Sequence, residues 1–475
     1  MIPNIVGGKD LRAKIAEHMG KDPSQLQIVT EEFEAYNHPN LQLAINEFIN
    51  APGRTATLLG VQGGAVNLLG TGMAEIVAQR TLVNQVGFGG AKEGPVQYAN
   101  IEIAADEKLA CVNGGLYLIG DRHKLAVLLR ASSVAMFGTG GPQIEVLAES
   151  RQAGEEFIAF IRNTIARVNV YRGKILSVSS AQGSIEGMRG STGLKFHRVP
   201  EISRDKIILP EGLLQRVERQ TVAAGQYSEA LKRAKRKLKR GILLHGRPGT
   251  GKTLTAMYIA SAMKDRTVLV LTGRGLGLIE TSAKLARWLA PSMVLIEDVD
   301  LIAEDRMNSA CTQPVLFELL NQMDGLADDC DVLFVLTTNR PEVLEPALAS
   351  RPGRVDQAYE VPLPDAECRR RLFELYFDGL DVRVQNLDSF IKRTSGASAA
   401  FIAELVRKAA LFAAPEGDPI VVHDRHLDEA MHELLLIGGA VTKSLLGFSQ
   451  IGFSAPAREA EPATAKVNTI SDADD

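Results

Sequence analysis

The chain has 475 residues, 45% of them hydrophobic and 23% charged, with a formal net charge of −4. That is the composition of a folded globular chain long enough for about two to four domains. The charge balance supplies no global field drawing it to nucleic acid or a membrane. Four cysteines, Cys111, Cys311, Cys330 and Cys368, form no C-x-x-C pair, which argues against a disulfide framework or a zinc site and for a reducing compartment.

Residues 1–21 carry no apolar core of signal-peptide type, and a cytoplasmic location is expected. Residues 55–74 lack charge but hold Gly60, Gly63, Gly64, Gly70 and Gly72 with Gln62 and Asn67. That is too polar for a spanning helix and reads as a glycine-broken strand region, so no membrane span is expected.

Residues 9–20 and 41–50 have helical spacing of apolar positions, each ending near glycine or proline. From about 55 to 130 short β-rich runs follow, best at 101–104, 116–119 and 125–129, with Gly114-Gly115 and Gly120-Asp121 as turns. Residues 145–168 read as strand into helix, with Phe157, Ile158, Ile161 and Ile165 on one face. After a turn at 171–174 comes a strand at 175–178. The sum is an α+β domain over residues 1–180, a possible recognition domain for a substrate or adaptor. Its scattered histidines, His18, His38 and His123, are expected to be structural or on the surface. Residues 181–204 have linker composition, and the next domain is expected to start near 205.

Residues 213–240 read as helical and end in a basic run, seven cations in the nine positions 232–240. No aromatic is interleaved for stacking, so a solvated helix face is favoured over a nucleic-acid patch.

The residues that carry chemistry follow. Gly246-Arg247-Pro248-Gly249-Thr250-Gly251-Lys252-Thr253 reads G-x-x-x-x-G-K-T, between an apolar strand at 241–245 and a helical stretch from Leu254. Strand, glycine loop and helix is the context a phosphate-binding loop requires. Its amides point at phosphate, Lys252 reaches the β- and γ-phosphates, and the Thr253 hydroxyl sits on magnesium. The cofactors expected are therefore ATP and Mg2+.

A buried strand at 293–296 delivers Glu297-Asp298 at its carboxyl end, where ligands of open parallel sheets bind. Glu297 is assigned to the metal and Asp298 to the attacking water, with Asp300 as structural. A third strand, 331–336, ends in Thr337-Thr338-Asn339, and Asn339 is placed to bond the γ-phosphate or the water. Arg351 and Arg354 flank Pro352-Gly353, too far along the chain to serve their own loop easily; Arg suits γ-phosphate recognition.

These motifs, in this order, resemble an AAA ATPase in the narrow sense, with one ATPase module over about residues 200–440. GRPGTGKT is similar to its Walker A, MVLIEDVD to its Walker B, TTN to its sensor 1 and RPEVLEPALASRPGRVD to its second region of homology. The resemblance implies an α/β P-loop NTPase core, a parallel sheet flanked by helices, at 205–363 and a helical lid at 364–440, the latter from helices at 365–377, 399–413 and 426–436. It implies Arg351 and Arg354 as arginine fingers reaching the neighbouring subunit's nucleotide, and a hexameric homo-oligomeric ring. Residues 319–326 resemble the inter-subunit signalling segment, and Gly396-Ala397-Ser398-Ala399-Ala400 the lid motif of members without a sensor-2 arginine.

Glu297-Asp298 inverts the usual Asp-Glu order. This pair and residues 271–291 are similar to the mitochondrial group that translocates a folded iron–sulfur protein, whereas 319–326 and Arg-Pro-Gly-Arg look more like the unfoldase group. The pore-loop position, 273–279, offers Leu276 and Leu278 but no aromatic, and no H-E-x-x-H occurs, so no fused zinc protease is expected. Residues 445–454 repeat Gly-Phe-Ser, and 455–475 are expected to be disordered.

The function expected is an ATP-hydrolysing protein-remodelling or translocating ring, with a protein client or adaptor met by the N-terminal domain. The alternatives are a nucleic-acid-linked ATPase using the basic run and an ATP-binding scaffold of weak turnover.

Overall fold

The computed structural model describes residues 10–62, 72–78, 92–120, 122–130, 134–135, 138–139, 141–180, 192–198, 201–272, 278–300, 330–342 and 355–437. The described residues fall into two compact units, the first holding those up to 207, 211–246 and 251–361, the second those at 208–210, 247–250 and from 362 on. No described helix is long and apolar enough to cross a membrane.

The first unit holds two seven-stranded sheets. The N-terminal sheet comprises β1 (Gln27–Glu32), β2 (Thr55–Gln62), β3 (Lys92–Gly94), β4 (Gln97–Ala104), β5 (Glu107–Gly120), β6 (Leu125–Arg130) and β7 (Gln143–Ala148). Its order is β1-β7-β6-β5-β2-β3 with β4 on β5, and every pair is antiparallel. Strand β6 is buried on both faces because alternate residues enter two cores. Leu125, Val127 and Leu129 pack with α2 (His38–Ile49) and α4 (Arg151–Arg167), while Ala126 and Leu128 pack with α1 (Leu11–Met19) and α3 (Met73–Ala78). Local signals set the helix ends: Asp10 caps α1, Ser150 caps α4, and Gly20 closes α1 at φ +71°.

The second sheet comprises β8 (Ile175–Ser180), β9 (Thr192–Phe196), β10 (Arg240–His245), β11 (Thr267–Leu271), β12 (Ser292–Ile296), β13 (Val332–Thr338) and β14 (Gln357–Glu360). The order is β9-β8-β11-β12-β13-β10-β14. All pairs are parallel except β8 with β9. The P-loop strand β10 lies between β13 and β14, so a single edge gathers the carboxyl ends of β10, β12 and β13.

Two sequence expectations change here. The strand read at 175–178 as closing the N-terminal domain runs to Ser180 and is bonded to β11 of the second sheet, Ile175 opposite Val268. Within the stretch read as a linker, residues 192–196 form its partner strand. Leu176 and Val178 share a core with Leu269, Val294 and Phe334, which explains the pairing: a β-branched apolar run meets whichever sheet edge is exposed to it, and composition does not name that edge. The second change is the helix at 213–240. It breaks into α5 (Leu213–Glu218), a π turn (Arg219–Ala223) and short pieces ending at Arg233, and Lys235 adopts φ +54°. Lys235, Arg236 and Lys237 therefore lie on exposed irregular chain rather than on a helix face.

The second unit is helical, with α8 (Ala366–Tyr376), α9 (Leu387–Arg393), α10 (Ala399–Ala413) and α11 (Asp424–His432) around one core that includes Leu372, Phe401 and Leu427. Asp365, Asn386 and Ser398 each accept a backbone N–H at the start of a helix. The sequence reading missed α9, a seven-residue helix too short to show a periodicity.

Candidate nucleotide site

Three strand ends and one helix build the site. Strand β10 runs into the glycine loop and then α6 (Lys252–Ala262). Gly246 has φ +143°, and a Cβ there would fall 2.3 Å from the Val361 carbonyl oxygen. Gly251, the N-cap of α6, has φ +102°. Both values are closed to ordinary L residues, which is why glycine is needed. Lys252 is 5% exposed, and its ammonium donates to the Gly246 carbonyl at 2.9 Å. Burial lowers its pKa against the opposing pull of Asp298 and Asp300. The lysine is thus a partly desolvated cation with carboxylates nearby, suited to an incoming phosphate.

The tip of the loop, 247–250, groups with the helical unit. There the Gly249 carbonyl accepts the Ala400 N–H at 3.1 Å, and Thr250 Oγ1 donates to the Arg247 carbonyl at 2.9 Å. Arg247 and Pro248 are exposed, as are Thr253 and Leu254 on α6.

Strand β12 delivers Glu297 and Asp298. The Thr253 hydroxyl hydrogen-bonds the Glu297 carboxylate, whose pKa is raised first by burial and then by Asp298. Glu297 Oε1 is buried and has no hydrogen-bond partner among the described residues. An orphaned carboxylate oxygen beside a threonine hydroxyl is a donor set for a hard cation. Magnesium keeps several waters and needs only one or two protein oxygens besides phosphate, so these residues fit it. Among the described residues no group of three or more His, Cys, Asp or Glu side chains could hold a metal by itself; a magnesium held jointly with nucleotide does not need one.

Asp298 has φ +49°, uncommon for a non-glycine residue. Its backbone N–H donates to Thr337 Oγ1 at 3.1 Å, and Asn339 Nδ2 donates to its Oδ1 at 3.1 Å. Thr337 and Thr338 are fully buried inside β13, two residues further into the strand than the sequence suggested, and Asn339 is the residue that emerges.

The structure therefore brings together Gly246, Gly251, Lys252, Thr253, Glu297, Asp298 and Asn339 of the first unit. Arg351, Arg354, residues 319–326, 273–277 and 438–475 lie outside the described residues. Sequence reasoning did not find the bond between Ala400 and Gly249, or the Tyr258 hydroxyl on Glu218, itself paired with Arg204. These are contacts of high sequence separation with no local pattern. His18 and His38 bond the backbone carbonyls of Ile119 and Val112, structural roles as expected.

Residues 242–363 match the family described as "ATPase family associated with various cellular activities (AAA)". Among curated proteins, the chain is 29% identical over 248 residues to the proteasome-activating nucleotidase of Methanothermobacter thermautotrophicus, covering 49% of this chain and 60% of the relative. It is 36% identical over 203 residues to the proteasome-activating nucleotidase of Methanopyrus kandleri, covering 40% and 46%. It is 35% identical over 198 residues to the 26S proteasome regulatory subunit 4 homolog B of Arabidopsis thaliana, covering 39% and 44%. The chain thus spans about half the length of the curated relatives it matches. Residues 242–363 are an AAA domain with a P-loop NTPase fold.

Proposed function

We propose that this chain is an ATP-hydrolysing, protein-remodelling AAA ATPase that works as a homo-oligomeric, hexameric ring. The observation that carries the reading is the meeting of Lys252, the Thr253–Glu297 pair and the Asp298–Asn339 pair at the carboxyl ends of β10, β12 and β13.

In this reading the loop amides and Lys252 bind the β- and γ-phosphates of ATP. Thr253 and Glu297 hold magnesium, which when bound neutralises charge on those phosphates. Asp298 orients a water against the γ-phosphorus and takes its proton as the P–O bond to the leaving ADP breaks. Asn339 fixes the Asp298 carboxylate. Asp is one methylene shorter than Glu, and the left-handed backbone of Asp298 together with the Asn339 contact sets where this shorter side chain points. Arg351 and Arg354 act on the nucleotide of a neighbouring subunit, and the N-terminal sheet domain meets the protein client or adaptor. Relatives named for activating or regulating the proteasome support a role on protein substrates.

Two measurements test this. ATPase activity per subunit should climb steeply with protein concentration, because arginine fingers contribute about 10³–10⁵ in rate; full activity in isolated monomers sinks the shared-site reading. Asp298→Asn, loaded with ATP and recovered from the native host, should retain a specific protein that a Lys252→Ala control does not. Nucleic acid retained in its place would reassign the client class.

A further inference from the structure

Asp300 lies two residues beyond Asp298 and is 6% exposed. Its Oδ1 accepts the Thr338 hydroxyl at 2.9 Å and the Asn339 backbone N–H at 3.3 Å. Thr338 Oγ1 in turn accepts the Arg340 N–H at 3.0 Å. Residues 338 and 339, where the chain leaves β13, thus share one carboxylate oxygen, and the Thr338 hydroxyl also holds residue 340. The residue so fixed, Asn339, reaches back through Nδ2 to Asp298 Oδ1 at 3.1 Å. Thr337 closes the circuit by accepting the Asp298 N–H at its Oγ1 and the Val299 N–H at its carbonyl.

The ends of β12 and β13 are therefore joined by two sets of bonds. One set is backbone-centred and runs through Thr337. The other runs from Asp300 to the backbone of Asn339 and from the Asn339 side chain to Asp298. Only the second touches the Asp298 carboxylate. A buried carboxylate is a costly way to tie two strands together, since a neutral group would carry a smaller desolvation penalty. What a carboxylate adds is a strong, directional acceptor for both the hydroxyl and the amide. Asp300 also pulls electrostatically on Lys252, but its hydrogen bonds go to residues 338 and 339.

We propose that Asp300 is a positioning residue for hydrolysis: it sets Asn339, and through Asn339 the carboxylate of Asp298. The assignment rests on the ATPase reading above. It makes no contact with nucleotide part of Asp300's role and gives it no proton to move.

The test uses the full chain in its assembled form, with steady-state ATPase kinetics and binding of a fluorescent ATP analogue. Asp300→Ala should lower kcat about 10²-fold, the cost of a small misplacement of a reacting group, while KM and analogue affinity hold. Asp300→Asn keeps an oxygen acceptor and should recover most of that loss. The double variant Asp300→Ala/Asn339→Ala should be no slower than Asn339→Ala alone, because residues acting through one another are not additive. Multiplying losses, an Asp300→Asn as slow as Asp300→Ala, or a fall in affinity matching the fall in kcat would each overturn the assignment. If Asp300→Ala does not fold, Thr338→Val removes one of the same contacts and should lower kcat at constant KM; an unchanged kcat there overturns it too. A wild-type ring that binds ATP without turnover sinks the ATPase reading along with this one, whereas an active wild type whose Asp300→Ala keeps its kcat sinks this one alone.

Discussion

Two sheets of seven strands sit in the first unit, one antiparallel and one almost wholly parallel. In the antiparallel sheet neighbouring strands exchange direction, so strand ends of both senses fall on each edge and no edge gathers a set of loops. Both faces are covered by helices; His38 bonds the Val112 carbonyl at 2.8 Å, the Val112 N–H donates to Gln42 at 2.8 Å, and the buried Glu145 of β7 is ion-paired with Arg130 of β6. In the parallel sheet every carboxyl end of β10, β12 and β13 faces one edge, and that edge holds Lys252, Glu297, Asp298 and Asn339. At this edge the orphaned Glu297 Oε1 and the depressed Lys252 stand with Thr253 and Asp298, groups suited to phosphate and a metal ion. Strand direction thus separates a sheet that stabilises from a sheet that also concentrates chemistry.

The sheets are also tied together. The Tyr171 hydroxyl donates to the Tyr36 carbonyl at 2.7 Å. The ring of Tyr36 lies 5.5 Å from Trp288, at the end of α7 (Ile279–Trp288). With the bond from Val170 N–H to Asn40 Oδ1 at 2.9 Å, these contacts join the N-terminal domain to the ATPase sheet.

If the division of labour is right, the largest effect comes from the parallel sheet. Asp298→Asn should reduce kcat by about 10²–10⁴-fold, the usual worth of a general base, with ATP affinity retained in an equilibrium binding assay. Phe157→Ala opens the antiparallel core, where Phe157 is 2% exposed and meets Phe48 edge-on at 4.8 Å. It should cost about 3–5 kcal/mol in urea unfolding and leave nucleotide affinity unchanged at temperatures where the chain stays folded; a shifted affinity would show that this sheet does more than stabilise.

A smaller effect is expected at Gly246→Ala. Its Cβ would fall 2.3 Å from the Val361 oxygen at φ +143°, and strain of about 1–3 kcal/mol should appear as lower denaturant resistance together with weaker ATP binding. The smallest effect is at His38, whose pKa is lowered by burial, with its bond to Val112 opposing. The unfolded chain binds the proton more readily, so the His38 contribution is fully present above the ordinary value of 6.5 and is lost as pH falls from there toward the folded value. His38→Gln should flatten that acid-side decline in thermal unfolding temperature; an unaltered decline would place the acid sensitivity elsewhere.

The sequence alone located the nucleotide loop, the two carboxylates and Asn339, because each follows a short apolar strand and carries a side-chain type that phosphate, magnesium or water chemistry requires. It also showed amphipathic helices such as residues 151–167, which are written in local spacing, but the turn expected at Gly114-Gly115 lies inside the continuous strand β5, because a glycine permits a turn without requiring one. The tertiary structure decided which sheet residues 175–180 and 192–196 join, that the basic stretch leaves its helix near Arg233, and that Asp300 and Asn339 lie within hydrogen-bonding distance across 39 positions. Those outcomes depend on which surfaces meet after collapse. An apolar strand is compatible with any complementary sheet edge, and a carboxylate with any nearby donor, so the partner is chosen by three-dimensional packing and is not encoded in the neighbouring residues.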